Sequence, residues 1–368
     1  LFSITRVSMK RVKLLLLSLF WVCLTPSIFG NDHLGKLSDN HPAFIEGQLI
    51  YLLNNKPTPQ CHASTIVETN SGMVASWFGG TYEKNTDVGI WVSRRINNKW
   101  RKPFKVADGS EGEDKEYPCW NPVLFKTQSG KLLLFYKVGP SPSKWWGVIR
   151  ESKDNGESWS DPRKMGTNKK IGHLLGPVKN KPIQLQNGTI YCPSSSEHDG
   201  WRVHFETSTD DGKTWNVIGP IHSGKEFASI QPSILSHKDG RLQILCRSKQ
   251  SKVTQSWSND QGKTWSPMAA SKLPNPNSGT DAITLNDGRQ LIVYNHSTRR
   301  GAFPSGRNIL NVAISNDGVK WESTLILEKA QGEYSYPAVI QAKDSMIHIT
   351  YTYKRRSIKH VIIDPKKL

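Results

Sequence analysis

Six stretches of the chain repeat one pattern of apolar and polar positions: HASTIVETNSGMVASW, NPVLFKTQSGKLLLFY, KPIQLQNGTIYCPS, QPSILSHKDGRLQILC, DAITLNDGRQLIVY and YPAVIQAKDSMIHITY. Each opens on a polar residue, usually followed by Pro. A short apolar run, a turn carrying Gly or Asp and a second apolar run then follow, as expected of two paired strands buried on a sheet. The copies begin at 62, 121, 181, 231, 281 and 336, and no longer stretch keeps a helical period. Six copies, each extended to four strands by the segment that follows it, predict an all-β chain folded as a six-bladed β-propeller of four-stranded blades.

A second repeat runs in step with the first. SKDNGESW (152 to 159), STDDGKTW (208 to 215) and SNDQGKTW (258 to 265) share Ser-x-Asp-x-Gly-x-(Ser/Thr)-Trp, with a shortened copy at SNDGVKW and an eroded one at SRRINNKW. The closing Trp recurs at 100, 159, 215, 265 and 321, gaps of 59, 56, 50 and 56 residues, which is a blade-sized period. In such a hairpin the Asp accepts backbone amide bonds, the Gly supplies a backbone turn that other residues resist, and the Trp packs between neighbouring sheets. These aspartates are read as scaffolding.

The blade pattern places a polar side chain at the opening of each inner strand. His62, Asn121, Lys181, Gln231, Asp281 and Tyr336 are therefore expected to ring one mouth of the central channel. Trp120, Trp145, Trp146 and Trp201 are rings that either stack on a sugar or pack a blade. Glu197 and Asp281 are spare acids for the same mouth.

The N-terminal residues follow a different pattern. MKRVKLLLLSLFWVCLTPSIFG sets three cations ahead of a short apolar run, then Pro and small residues, the layout of a secretory signal peptide over 1–30. A short segment, 31–44, would then lead into a propeller over 45–368. The expected location is secreted or periplasmic, with no membrane insertion. Of five cysteines, Cys61, Cys119, Cys192 and Cys246 remain after cleavage, either as up to two disulfides or as four buried thiols.

The formal charge is +18, and removal of Arg6, Lys10, Arg11 and Lys13 with the leader leaves +14. That excess favours an acidic partner. The cations are scattered over strands and turns rather than gathered on one stripe, which argues for an acidic polysaccharide and against nucleic acid. No His-x-x-x-His or Cys-x-x-Cys spacing suggests a metal, and no cofactor is implied. Asn187 and Asn295 fit the glycosylation acceptor pattern.

The Ser-x-Asp hairpins on a six-bladed pattern resemble the sialidase superfamily. GIWVSRR, CWNPVLF, GPVKNKP, NPNSGTD and EYSYPAVI look like its bacterial secreted branch with BNR repeats, and the resemblance covers about 45–365. It implies arginines on a substrate carboxylate, a Tyr nucleophile with a Glu partner, and an Asp as acid/base. Carried over by position, Arg247 and Arg307 match the second and third arginines, Tyr334 the nucleophile and Asp87 the acid/base. Two positions depart. Cys61, His62 and Ala63 stand where the first arginine is expected, and Gln231 stands where the Glu is expected, with Glu333 or Glu226 as substitutes.

Three functions follow from these residues. The first is an exo-acting glycoside hydrolase on a terminal acidic sugar, with Tyr334, Asp87, His62 and Glu333 as the chemical groups. Arg247, Arg307, Gln231, Asp281, Asn121, Lys181, Tyr336 and Trp120 would line its substrate. The second is a polysaccharide lyase, in which arginine neutralises a uronate and His62 or a Tyr removes the neighbouring proton. The third is a glycan-binding propeller without chemistry.

Overall fold

The computed structural model describes residues 1–2, 36–113, 115–298 and 305–368. The signal peptide reading falls on 1–30 and so lies outside the described residues, apart from the first two. Backbone contacts divide the chain at Asp32, and everything below concerns the unit His33–Leu368. No helix of the described residues is long and apolar enough to cross a membrane.

The unit is a six-bladed β-propeller of four-stranded antiparallel blades. Blade two shows the plan: Cys119–Lys126 runs innermost, followed outward by Leu132–Val138, Trp146–Ser152 and Arg163–Lys164. Blade six is closed differently. Its inner strands Tyr334–Gln341, Ile347–Tyr353 and Ser357–Ile363 are joined by Phe44–Leu49 from the other end of the chain, with Phe44 opposite Ile363. Blade five gains a short parallel strand, Lys36–Leu37.

Inner and second strands read as continuous apolar runs because both their faces are covered by neighbouring blades. Leu132–Val138 is buried along its whole length, as is Leu242–Ser248. The cores lie between blades. Ile283, Val293 and Leu325 of blade five pack on Val339, Ile349 and Val361 of blade six.

The aspartate turns sit at the outer hairpins and behave as the pattern predicts. Asp210 accepts from the backbone amides of Lys213 and Thr214 and from the Thr214 hydroxyl, at 3.1, 2.9 and 2.6 Å. Thr214 does most to hold that carboxyl below its ordinary range. The closing tryptophans reach back to the preceding blade: Trp215 meets Phe135 edge-on at 5.8 Å, and Trp265 stacks on Phe205 at 4.8 Å. The four cysteines are separate buried thiols, which decides between the two sequence readings.

The inner strands enter the channel through bulges. Ladder register slips between His62 and Thr65, Trp120 and Val123, Ile230 and Ser233, and Ser335 and Ala338. Each slip contains a residue of positive φ, namely Ala63, Asn121, Gln231 and Tyr336, and Lys179 adopts the same turn in blade three. Bulges of this kind re-aim a side chain at the end of a sheet.

Candidate functional site

These bulges correct the expected ring. Asn121, Gln231 and Tyr336 occupy equivalent places, but the equivalent residue of blade three is Lys179, two before Lys181. Lys181 and Asp281 lie deeper and pair with each other at 2.9 Å. Asp281 also accepts from Ser233 Oγ at 3.1 Å and from the Val339 amide at 2.8 Å, tying blades four, five and six together. Lys179 is buried, donating to the carbonyls of Thr280 and Pro337 across the channel. Burial brings its ammonium down to about 7. Below the mouth the channel is filled by these cross-blade bonds.

At the mouth, Tyr336 is the centre. Arg247 donates to its hydroxyl. The guanidinium carbons of Arg247 and Arg307 each lie 5.6 Å from its ring centroid, and the His62 ring lies 4.2 Å from it. A side chain with φ of 52° costs backbone strain, which the surrounding bonds must hold in place. Gly279 makes room, since a Cβ there would meet the Tyr336 ring at 3.1 Å.

Asn277 fixes the two arginines relative to each other. Its carbonyl oxygen accepts from Arg247 Nη2 at 2.8 Å and Arg307 Nη2 at 3.1 Å. Its side-chain oxygen takes Arg247 Nε at 3.0 Å. Gln231 Oε1 is 3.4 Å from Arg247 Nη1. A neutral amide at that point can orient a guanidinium and cannot take a proton.

Glu333 is the buried acid of the mouth. It accepts from Arg307 at 3.0 Å, Arg355 at 2.7 Å and Ser335 Oγ at 2.7 Å, and it lies 4.0 Å from His62 Nε2. Burial pushes its carboxyl up, but the neighbouring His62, Arg355 and Arg307 outweigh that and hold it well below the carboxylate range. His62 is itself held well below the usual imidazole range, by burial first and by Arg355 second, so its ring is neutral at pH 7. The two guanidiniums therefore carry the stabilisation of Glu333. His62 Nδ1 shares a 2.9 Å bond with Thr352.

Two expected residues lie elsewhere. Tyr334 points away from the mouth: it is buried in the core between blades five and six, its hydroxyl donates to the Gln331 carbonyl, and burial pushes it up to about 12. Plain alternation would put 334 and 336 on one face; the bulge between Ser335 and Ala338, with Tyr336 at positive φ, turns 336 and not 334 to the channel side. Asp87 is exposed and occupied by its own loop, accepting from the Thr81 amide at 2.9 Å and the Thr81 hydroxyl at 2.7 Å. Glu226 is exposed on the surface. Trp120 is buried, donating to the Gly139 carbonyl at 2.8 Å.

Sequence reasoning passed over Arg355, Glu83 and Asn277. Arg355 sits in the turn between the second and third strands of blade six, and hairpins at that position open on the mouth. Its Nη1 donates to Glu83 at 2.7 Å, from the same loop as Asp87. Arg355 thus stands beside His62, where blade one lacks its arginine. On the other side, Trp201 lies under Arg247 at 5.1 Å and Lys249 at 4.5 Å. Burial raises the neighbouring Glu197 carboxyl, which Arg247 partly offsets.

No group of three or more His, Cys, Asp or Glu side chains that could hold a metal occurs among the described residues. No curated protein matches the chain. Solved structures do: a protein of unknown function from Dyadobacter fermentans superposes with a TM-score of 0.71 at 16% identity over 87% of this chain and 98% of its own. The Hadza microbial sialidase Hz136 gives 0.73 at 17% identity, over 88% of this chain and 69% of its own. The intramolecular trans-sialidase from Ruminococcus gnavus, solved with oseltamivir carboxylate, gives 0.70 at 15% identity, over 89% and 99%. Residues 71–349, more than half of the chain, match the family model described as a BNR repeat-like domain. The chain belongs to that BNR repeat-like family and has the propeller fold of the sialidases.

Proposed function

We propose that this protein is a secreted carbohydrate-active enzyme, a sialidase-like glycoside hydrolase that removes a terminal acidic sugar. The observation that carries this is the placing of two guanidiniums, Arg247 and Arg307, each 5.6 Å from the ring of one tyrosine whose hydroxyl one of them binds. Paired arginines suit a carboxylate. A hydroxyl that accepts from a guanidinium keeps its own proton available to a base as it attacks.

In this reading Tyr336, in place of the expected Tyr334, is the nucleophile. Its oxygen bonds to the anomeric carbon as the bond to the leaving oxygen breaks. The hydroxyl proton goes to a base, a role taken here by the neutral His62 ring packed on the Tyr336 ring, since Gln231 is unable to serve. A carboxyl on the loop 81–87, Glu83 or Asp87, gives its proton to the leaving oxygen. Water then attacks the anomeric carbon and gives a proton to that carboxylate, while the departing Tyr336 oxygen takes its proton back from His62, with overall retention. Arg355 completes the anion site beside Arg307.

The same neutral His62 also favours a second reading, a lyase. The base would remove the carbon-bound proton next to an arginine-held carboxylate, and loss of the leaving oxygen would create a carbon–carbon double bond. A panel of fluorogenic acidic glycosides and uronate oligosaccharides, read both for fluorophore release and for near-ultraviolet absorbance, separates the two. Turnover that survives Tyr336→Phe unchanged on every substrate sinks the tyrosine mechanism.

A further inference from the structure

Beside the mouth, between blades two and three, lies a cavity of about 340 Å³ that the mechanism above does not use. Trp145, Ile171 and Ser196 form its buried floor, and Lys144, His173 and His198 its exposed rim. Its size falls at the lower end of ligand sites. Two polar atoms of the floor residues, Ser196 Oγ and Trp145 Nε1, are buried with no hydrogen-bond partner among the described residues. Buried polar atoms are rarely left so, and a ligand or an ordered water seated in the cavity would complete them.

The wall is built rather than incidental. The two-stranded hairpin Thr167–Asn168 with Gly172–His173 stands outside the blade sheets and carries Ile171 and His173. It is anchored by Glu206, a fully buried carboxylate accepting from the amides of Leu175 at 2.9 Å and Gly176 at 2.8 Å. Ile171 and Leu174 pack with Phe135 in the core between blades two and three. Trp145 meets Trp120 edge-on at 6.0 Å.

Its position and charge say what it would hold. Ser195 Oγ accepts from the Gln231 amide toward blade four, and Ser196 faces the opposite way into the cavity. Glu197, the next residue, faces Arg247. The cavity and the arginine site therefore lie on opposite sides of one strand end. No lining residue is acidic. The nearby Asp199 carboxylate is bound to Arg202 at 2.7 Å.

We propose that this cavity is a second subsite, for the acidic sugar that follows the terminal one, so that the substrate is a polyanionic chain rather than a single acidic cap on a neutral glycan. It rests on the reading of the mouth as a glycan site. Isothermal titration tests it with an α2,8-linked sialic acid trimer and with trigalacturonate, against the corresponding monosaccharides and neutral maltotriose. One trimer is expected to bind at least tenfold more tightly than its monosaccharide. Lys144→Ala with His198→Ala, both exposed positions, removes that gain and leaves monosaccharide affinity unchanged.

Equal affinity for trimer and monosaccharide, an unaltered trimer affinity in the double variant, equal binding of maltotriose, or no binding of either trimer each overturns the subsite. Failure of the mouth reading looks different. Trimer binding that depends on Lys144 and His198 but ignores Arg307→Ala would keep the subsite and dismiss the arginine site.

Discussion

Two acids of this molecule, Asp210 and Glu333, are both held as anions, by unlike means. Asp210 takes its donors from residues three and four positions along the same hairpin. Glu333 takes its donors from Arg307, Arg355 and the adjoining Ser335, and the two arginines lie 26 and 22 residues away on either side. The first arrangement closes on itself and recurs at Asp154 and Asp260, which mark blades. The second exists only in the assembled ring, where Asp281 is held in the same way one layer below the mouth. Chemistry that is local and repeated stabilises; chemistry gathered from distant segments around a cavity is where a substrate would be met.

Four measurements test that difference. The largest effect is expected at Tyr336→Phe, a loss of turnover on the order of a thousandfold, comparable to losing a main catalytic group, with an unchanged melting curve. Tyr334→Phe should do the reverse, keeping turnover and losing some stability. If the two variants exchange these behaviours, Tyr336 is not the reactive centre.

Next is Arg355→Ala, which leaves the fully buried Glu333 with Arg307 as its remaining cation. Uncompensated buried charge costs roughly 3–5 kcal/mol, to be read by chemical denaturation. Glu333→Gln in the same chain should recover much of it. A double variant no more stable than Arg355→Ala would show that the guanidinium acts by packing.

A third effect concerns blade six, where the stacked His348 and His360 rings share a 3.0 Å bond and Trp100 donates to His360 at 3.3 Å. Burial lowers His348 to about 4 and also holds His360 well below the usual imidazole range. Between pH 6.5 and pH 4 the unfolded chain binds protons that the folded one refuses, so stability falls as pH drops across that window and levels off below the folded value. The loss is at most about 3 kcal/mol for His348. Denaturation midpoints at pH 7 and pH 4.5, with His348→Gln as the flatter control, check the sign.

The smallest effect is expected at Asp210→Ala. Losing one side-chain cap at a partly exposed turn costs roughly 1 kcal/mol, with no change in turnover. Any loss of activity beyond that of stability would mean the aspartate turns reach the site.

The same contrast explains what the sequence made legible. Strand pairs and Ser-x-Asp turns are written within a few residues, so six blades could be read before any coordinates. Arg247, Arg307 and His62 were found because each stands beside a repeat. Tyr334 was taken for Tyr336 because two tyrosines share one strand start, and only the bulge at Tyr336 decides which faces the channel. Arg355 carries no signal in its own neighbourhood beyond lying in a mouth-side hairpin, and its value comes from Glu333 and Glu83. Lys181 and Asp281 were placed a layer too high because the bulge before them lacks the Pro that marks blades two, four and six.

The seam in blade six has a consequence for how the molecule comes into being. Phe44–Leu49 pairs with residues roughly 300 positions later, and closing a loop of that length costs about 5 kcal/mol of chain entropy before any ladder bond returns it. A growing chain holds Arg247 long before it holds Tyr336 and Arg355, and it has no ring to arrange them in until that last strand is zipped. The mouth thus depends on a strand that reaches it from the far end of the chain, and fastening that strand closes the ring that holds it.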